Sequence, residues 1–448
     1  MTGGGKAPFL AAPLADGQCD ALFQGWTAYK RIALAVSGGA DSTALLVLAQ
    51  EWRDRTASPP ELTVLTVDHG LRAEAGQEAA WVKNIAASLG LPQQTLIWPA
   101  PKPQAGLQAA ARAARYGLML GFCRSAQIEA LATAHTANDQ AETLLMRLAR
   151  GSGLDGLAGI GALSARDGIA VLRPLLSVPR VRLETSLRQR GQAWIEDPSN
   201  RDKRYERVRL REALQAAAAL GLTAEKLALS AHRLGRARLA LDAITGDVLQ
   251  HALHVHPAGY GEMALATLRE TPEDIGMRAI SRMAGAFGGG ERVVRLARIE
   301  ALHRALISAN PGTATLGGCV FTVRRSMLRI AREFGRIDAS RIPVPTTGLL
   351  LWDSRFTVSA PQCESGLRVG PLGPEGVRAL RAVKGWIALP AQVAHALPAL
   401  WRDATLVYAP FAIFADGPPL CWRHDCHATF ANVGLLRGKA PPGQKDRC

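Results

Sequence analysis

Four short apolar runs, each followed by a helix-length stretch, constrain this chain more than any other feature of its sequence. Ile32–Val36 precedes the helical pattern Thr43–Gln50, and Leu62–Val67 precedes Glu74–Leu89. Thr95–Trp98 precedes Leu107–Cys123, and Ala130–Ala134 precedes Asp139–Arg150. Helices of that length between strands bring successive strands into parallel register, with helices on both faces of the sheet. The fold class expected is therefore α/β, a doubly wound and mostly parallel sheet. Such sheets bind ligands beyond the carboxyl ends of their strands. Ser37–Ser42, Asp68–Arg72 and His135–Asp139 then converge on one rim.

The 448 residues exceed what this sheet needs, and at ~150 residues per domain they allow about three domains. Beyond about residue 205 the strand pattern stops. Glu212–Ala240 and Val293–Ser308 read as helices, Cys319–Ile330 as β-like, and Ile342–Gly348 as a linker. The expected division is an N-terminal extension over 1–27, the α/β domain over 28–205, a mostly helical domain over 206–335, and a small α+β domain over 336–448 with a frayed polar tail. Gly151–Gly161 is glycine-dense and reads as a mobile or close-packed loop.

Seven scattered cysteines, an odd number, argue against a secreted disulfide framework. No run of eighteen apolar residues occurs, and Met1–Asp20 makes a poor signal peptide. A soluble, cytoplasmic protein with no membrane partner is expected. Lys and Arg outnumber Asp and Glu by 53 to 38, a net charge of +15. That excess favours a polyanionic partner, because cations that neutralise phosphates release condensed counterions. Cys421, Cys426 and His427, with His424 between, have no second Cys/His pair at a usual zinc spacing, so the cysteines read as isolated thiols.

Ser37-Gly38-Gly39-Ala40-Asp41-Ser42 lies between the first strand and its helix. The glycines permit a tight turn and let backbone N–H groups approach an anion. The following helix adds further N–H groups and its positive dipole end, and the two serines add hydroxyls without bulk. No Gly-Lys-Ser/Thr follows, so this is not a Walker loop.

This turn resembles the pyrophosphate loop of the ATP pyrophosphatases, the PP-loop superfamily. Further segments resemble the successive motifs of the tRNA(Ile)-lysidine synthetases: Val67–Arg72, Ala111–Tyr116, His135–Thr143, Arg150–Leu157, Arg173-Pro174-Leu175 and Trp194–Asn200. The resemblance runs from about 30 to 211, is fainter over Thr313–Glu333 and is weak after 345. Two positions depart from the family pattern: Asn138 stands where an acid is usual, and Val208 follows Arg207 where Asn is usual.

The resemblance implies ATP and Mg2+ as cofactors, with free L-lysine and the CAU-anticodon tRNA(Ile) as partners; a homodimer is left open. It implies that O2 of the wobble cytidine attacks the α-phosphate of ATP and that lysine then displaces AMP from C2. Ser37, Gly38, Gly39, Ala40, Asp41 and Ser42 would hold ATP, joined by His69, Arg115 and His135. Asp41 and Asp139 would serve the metal. Asp41, Asp139, Glu142 and Arg207 form the implied catalytic set, with Arg207 against the developing adenylate. Asp139 and Glu142 are three apart at a helix start. They could bind metal, hold the lysine ammonium or assist its deprotonation, and Asp139 could equally be part of a capping box. Arg112, Lys203, Arg204, Arg209, Arg211, Arg233 and Arg236 are the tRNA-contact candidates, although a charge run is by default a solvated face.

Two rival functions remain. A tRNA thiolase of the same superfamily needs a persulfide-bearing cysteine or an iron–sulfur cluster; the chain has no Cys-x-x-Cys, and its catalytic segment offers only Cys123. A nucleotide- or RNA-binding protein without turnover would suit Asn138 and Val208, but the retained Asp41, Asp139 and Glu142 disfavour it.

Overall fold

The computed structural model describes residues 12–70, 75–99, 102–103, 106–196, 206–290, 294–345, 348–359, 366–384, 386–387, 389–414 and 427–436. The chain forms two compact units, one running to Arg238 and the other from Leu239.

The first unit opens with α1 (Asp16–Phe23), then alternates β1 (Arg31–Ala35), α2 (Ala40–Arg55), β2 (Glu61–Asp68), α3 (Ala75–Ser88), β3 (Gln93–Ile97), α4 (Leu107–Ser125), β4 (Ala130–Ala132) and α5 (Ala137–Leu148). The strands lie in the order β3-β2-β1-β4, all parallel. The short α6 (Leu154–Leu157) leads into β5 (Leu163–Arg166) and β6 (Ile169–Leu172), and β6 extends the parallel sheet beside β4. β5 closes the edge antiparallel to β6. The hairpin between them turns on Asp167 and Gly168, both at positive φ, an Asp-Gly pair of the kind that matches strand twist.

Strand pleating explains why both faces are covered. Ile32, Leu34, Val64, Ala130 and Ala132 enter one core with α1, α2 and α3, whereas Ala33, Leu65 and Leu131 enter another with Tyr116, Met119 and Leu120 of α4. Residues 14–26, expected to form an N-terminal extension, belong to the first core instead. Leu14, Cys19, Phe23 and Trp26 are buried there, and the Phe23, Trp26 and Trp52 rings are mutually 4.7–5.9 Å apart. The glycine-dense segment 151–161 is close-packed. Arg147 Nη1 donates to the carbonyls of Gly156 (2.6 Å) and Gly159 (3.0 Å), and Gln140 exchanges two hydrogen bonds with the Ile160 backbone. α7 (Arg180–Gln189) packs beside α2, and α8 (Glu206–Ala218) beside α5.

α9 (Ala224–Ala252) is separated from α8 by Gly221 at φ +81°, which splits the single helix expected over Glu212–Ala240. The strands do not stop at residue 205. β7 (His254–His256) and β8 (Tyr260–Ala264) precede α10 (Leu265–Glu270), α11 (Glu273–Phe287) and α12 (Leu296–Ile307). β9 (Thr313–Leu316), β10 (Cys319–Arg324) and β11 (Met327–Arg332) complete a five-stranded antiparallel sheet ordered β7-β8-β11-β10-β9. The segment expected to be mostly helical is therefore mixed. Its core also runs on into the C-terminal segment: Phe287, Phe321, Phe356, Trp401 and Phe430 belong to one apolar cluster. Across residue 335, Asp353 accepts from Arg332 Nη2 at 2.9 Å and from Arg355 Nε at 2.7 Å, with all three side chains buried. The observed units thus differ from the expected boundaries at 205/206 and 335/336. The tail beyond 436 and the cysteines at 421 and 426 lie outside the described residues.

Because Phe23 is wholly buried among aromatic rings, Phe23→Ala should cost about 3–5 kcal/mol. Urea denaturation followed by tryptophan fluorescence checks this; a loss below ~1 kcal/mol would mean that α1 is an appendage.

Candidate active site

The order β3-β2-β1-β4 reverses direction at β1, because the chain adds strands to one side of it and then crosses to the other. A crevice beyond the carboxyl ends of β1 and β4 results from that reversal. It is present as a cavity of about 570 Å3, within the range of small-ligand sites. Ser37, Gly39, Ala40, Asp41, Ser42, His69, Arg112, Arg115, His135 and Asp139 all line it, together with Glu78, Arg180, Glu184 and Trp194–Glu196.

The turn after β1 is cross-linked to itself. Ser42 Oγ donates to the Gly39 carbonyl (3.0 Å) and accepts from the Ser37 N–H (3.2 Å), while Thr43 Oγ1 donates to the Gly38 carbonyl (3.0 Å). Gly38 does not line the cavity. It adopts φ +87°, its carbonyl also accepts from the Ile195 N–H at 2.9 Å, and a Cβ there would meet Ile195 Cδ1 at 2.6 Å. Gly39 precedes the first residue of α2 and has no such restriction: nothing approaches its Cβ position within 4 Å. The first N–H groups of α2 are thereby held at the cavity wall, where intrahelical carbonyls cannot reach them.

Asp41 sits in the first turn of α2 and is gripped by Arg180. Arg180 Nε lies 3.0 Å from each carboxylate oxygen of Asp41, and Nη2 also donates to Oδ2. That hydrogen bonding pushes the guanidinium pKa further up, against the opposing effect of burial. Arg180 opens α7, and its backbone N–H donates to Asn138 Oδ1 at 3.0 Å. The residue where the family pattern usually has an acid therefore serves as a side-chain cap on another helix. A carboxylate oxygen at this position could accept the same bond.

Asp139 closes a capping box: its Oδ2 accepts from the Thr136 N–H and hydroxyl, each at 2.9 Å. It still lines the cavity, so the structural and chemical readings coexist on one side chain. Glu142, one turn along, is buried and accepts Arg211 Nε at 2.7 Å; it is not part of the cavity wall. His135 Nδ1 lies 2.9 Å from Thr133 Oγ1. His69 Nε2 accepts from Arg115 Nε (3.3 Å) and Nη2 (3.2 Å). Since guanidinium only donates, this nitrogen is the unprotonated one. Burial first, then the Arg115 charge, holds the His69 pKa below its ordinary value.

Among the tRNA-contact candidates, Arg209 is exposed on α8 and Arg233 and Arg236 are exposed three residues apart on α9. Arg211 is half-buried on Glu142. Arg207 falls within α8 but its side chain, like Lys203 and Arg204 altogether, lies outside the described residues. Arg180 is not among the sequence candidates. A Pro-Arg pair opening a helix is its only local signal, and many helices begin that way.

Residues 15–218 match the model of the PP-loop domain. The tRNA(Ile)-lysidine synthase of Ruegeria pomeroyi is 38% identical over 402 residues, 87% of this chain and 90% of that protein. The chain belongs to the tRNA(Ile)-lysidine synthase family. The synthase of Bradyrhizobium diazoefficiens is 42% identical over 74% of this chain and 95% of its own length. That of a Wolbachia from Brugia malayi is 31% identical over 87% and 92%. The U34-tRNA thiolase NcsA from Methanococcus maripaludis, with its [4Fe-4S] cluster, superposes over 47% of this chain and 72% of its own at TM-score 0.41 and 14% identity.

The thiolase alternative fares poorly on this family member's own chemistry. Cys123 is fully buried in α4, and burial pushes its thiol up to about 11, far from the thiolate that sulfur carriage needs. Among the described residues no helix is long and apolar enough to cross a membrane.

Gly38→Ala should lose about 1–3 kcal/mol, since φ +87° is strained for any Cβ and Ile195 leaves no room. Gly39→Ala, with open space and φ −70°, should stay within ~0.5 kcal/mol. Differential scanning calorimetry of the pair checks this; equal melting points would remove the steric account of the turn.

Proposed function

We propose that this chain joins the ε-amine of free L-lysine to C2 of cytidine 34 in the CAU-anticodon tRNA(Ile), a carbon–nitrogen ligation that makes lysidine at the expense of ATP. One observation carries the reading. A self-braced Ser37–Ser42 turn backs a 570 Å3 cavity in a chain 38% identical to a tRNA(Ile)-lysidine synthase over 90% of that protein.

In the first step the cytidine O2 attacks the α-phosphorus of ATP, the bond to the β-phosphate oxygen breaks, and pyrophosphate leaves. The N–H groups at the start of α2 and the hydroxyl of Ser37 are the donors for the charge that develops on the leaving group, while Ser42, whose one O–H is held by the Gly39 carbonyl, keeps the turn in shape. Donors fixed beforehand stabilise such charge without reorganising. In the second step the lysine ε-amine attacks C2, and the C2–O2 bond breaks so that O2 departs within AMP. The ammonium must first lose a proton, since its ordinary pKa is near 10.4. Asp139 lines the cavity, whereas the charge of Glu142 is engaged by Arg211. Asp139 is therefore the better placed of the two to orient the ammonium or take its proton, and Glu142 supports it from behind. Arg207 keeps its assignment to the adenylate, and His69, Arg115 and His135 theirs to the nucleotide.

The donor set suits a hard divalent cation. Asp41 and Asp139 present carboxylates to one cavity, and no group of three or more His, Cys, Asp or Glu among the described residues could hold a metal unaided. Magnesium is ordinarily held by one or two carboxylates plus substrate phosphates, and bound in that way it would supply positive charge to the departing pyrophosphate. Asp41 retains lone pairs for this role beside Arg180, because a carboxylate offers about four acceptor sites.

The test is incorporation of radiolabelled lysine into CAU-anticodon tRNA(Ile), with AMP and pyrophosphate released in equal amounts. Sulfur-dependent product would favour the thiolase, and absence of turnover the binding protein. Asp41→Asn should lower turnover by about 10²–10³-fold with the fold retained. Replacing Arg233 and Arg236 by Gln should weaken tRNA binding and flatten the slope of log affinity against log salt by about 1 for each lost phosphate contact. A filter-binding titration with an unchanged slope would take α9 out of the tRNA interface.

A further inference from the structure

We propose that Arg180 is a triphosphate-binding residue, the cation that this phosphate-binding turn lacks in its own sequence. The proposal rests on the reading of the cavity as the ATP site and names a contact within it.

The turn brings an acid, Asp41, and no lysine or arginine to the place where a polyanion must sit. Walker-type loops solve the same electrostatic problem with a lysine inside the loop. Among the described residues the cavity is lined by three long-chain cations: Arg112, Arg115 and Arg180. Arg115 is bonded to His69, at the carboxyl end of β2, not to the turn. Arg180 is the one bonded to the turn itself, 139 residues away in sequence.

Its geometry leaves a donor for the ligand. A guanidinium carries five N–H groups in a rigid fork. The Nε–Nη2 edge of Arg180 is committed to Asp41, while Nη1 makes no hydrogen bond among the described residues. The Arg180 side chain is 35% exposed, against 14% for Asp41, and it lines the cavity. Asn138 Oδ1 fixes the backbone N–H of Arg180, and Ala137 N–H donates to the Val178 carbonyl at 3.0 Å. The starts of α5 and α7 are thus stapled together, which fixes the point from which the guanidinium reaches the turn. The charges of Asp139 and Glu142, after that of Asp41, also favour the guanidinium there. Arg180 thereby holds one edge on Asp41 and turns the other toward the β- and γ-phosphates.

Isothermal titration of the full-length protein with inorganic pyrophosphate, ATP and AMP, each with Mg2+, tests this. Arg180→Gln should weaken pyrophosphate and ATP about tenfold or more, the usual effect of losing a charge-assisted bond, and AMP far less. Arg180→Lys should recover part of the loss. The double variant Arg180→Gln/Asp41→Asn, titrated with pyrophosphate in the absence of Mg2+ so that the metal role of Asp41 does not enter, separates contact from counter-charge: with a phosphate contact, pyrophosphate binding stays weak. Recovery of wild-type affinity in the double variant would reduce Arg180 to a neutraliser of Asp41 and overturn the proposal. So would pyrophosphate binding by Arg180→Gln within twofold of wild type, or an equal loss for AMP and pyrophosphate. If the unaltered protein bound neither ATP nor pyrophosphate, the ATP-site reading itself would fall. Wild-type binding with an indifferent Arg180→Gln would sink this inference alone.

Discussion

Parallel pairing of Arg31–Ala35 with Glu61–Asp68 on one side and Ala130–Ala132 on the other is the constraint from which the site arises. A strand flanked in this way is buried on both faces and must be apolar throughout, as Ile32, Ala33 and Leu34 are. Its end is where the chain first escapes the sheet, and its neighbours end at the same rim. The Ser37–Ser42 turn, His69 and His135 come together for that reason, although up to about a hundred residues separate them in sequence.

Polar cross-links then convert a crevice into a site with defined donors. The turn is braced by its own serines and by Thr43 on the Gly38 carbonyl, and backed by Ile195. The acids divide by environment: Asp41 is shared with Arg180, Asp139 is half committed to a cap, and Glu142 is buried on Arg211. Three carboxylates close in sequence or space thus have different remaining capacities. Those capacities distinguish their proposed roles better than their residue type does.

The legible parts of the chain are those with strong periodicity. All four early strands and their helices can be read because each run is short, rich in apolar and β-favouring residues, and followed by a helix-length stretch. The β5–β6 hairpin is harder, although its Asp167-Gly168 turn is a recognisable signal, because its strands are only four residues long and come after a glycine-dense stretch. In the second unit, His254–His256 and Tyr260–Ala264 carry too few branched apolar residues to stand out, and the packing of Met263 and Tyr260 in a shared core decides their state. The N-terminal helix escapes sequence reading for a related reason. Its buried residues Cys19 and Phe23 make a weak stripe, and Trp52 of α2 supplies the partner that gives it a place.

The local order of residues determined the α/β class, the glycine turn after β1 and the family, because each rests on neighbours in sequence: periodic apolar runs, glycines at a strand end, short contiguous motifs. Tertiary structure decided which acids reach the cavity, that Asn138 caps α7, and that Arg180 meets Asp41. Those contacts join residues 42 and 139 positions apart. Their existence depends on how α5 and α7 are seated against the sheet, a sum of many packing terms that no single stretch of sequence carries.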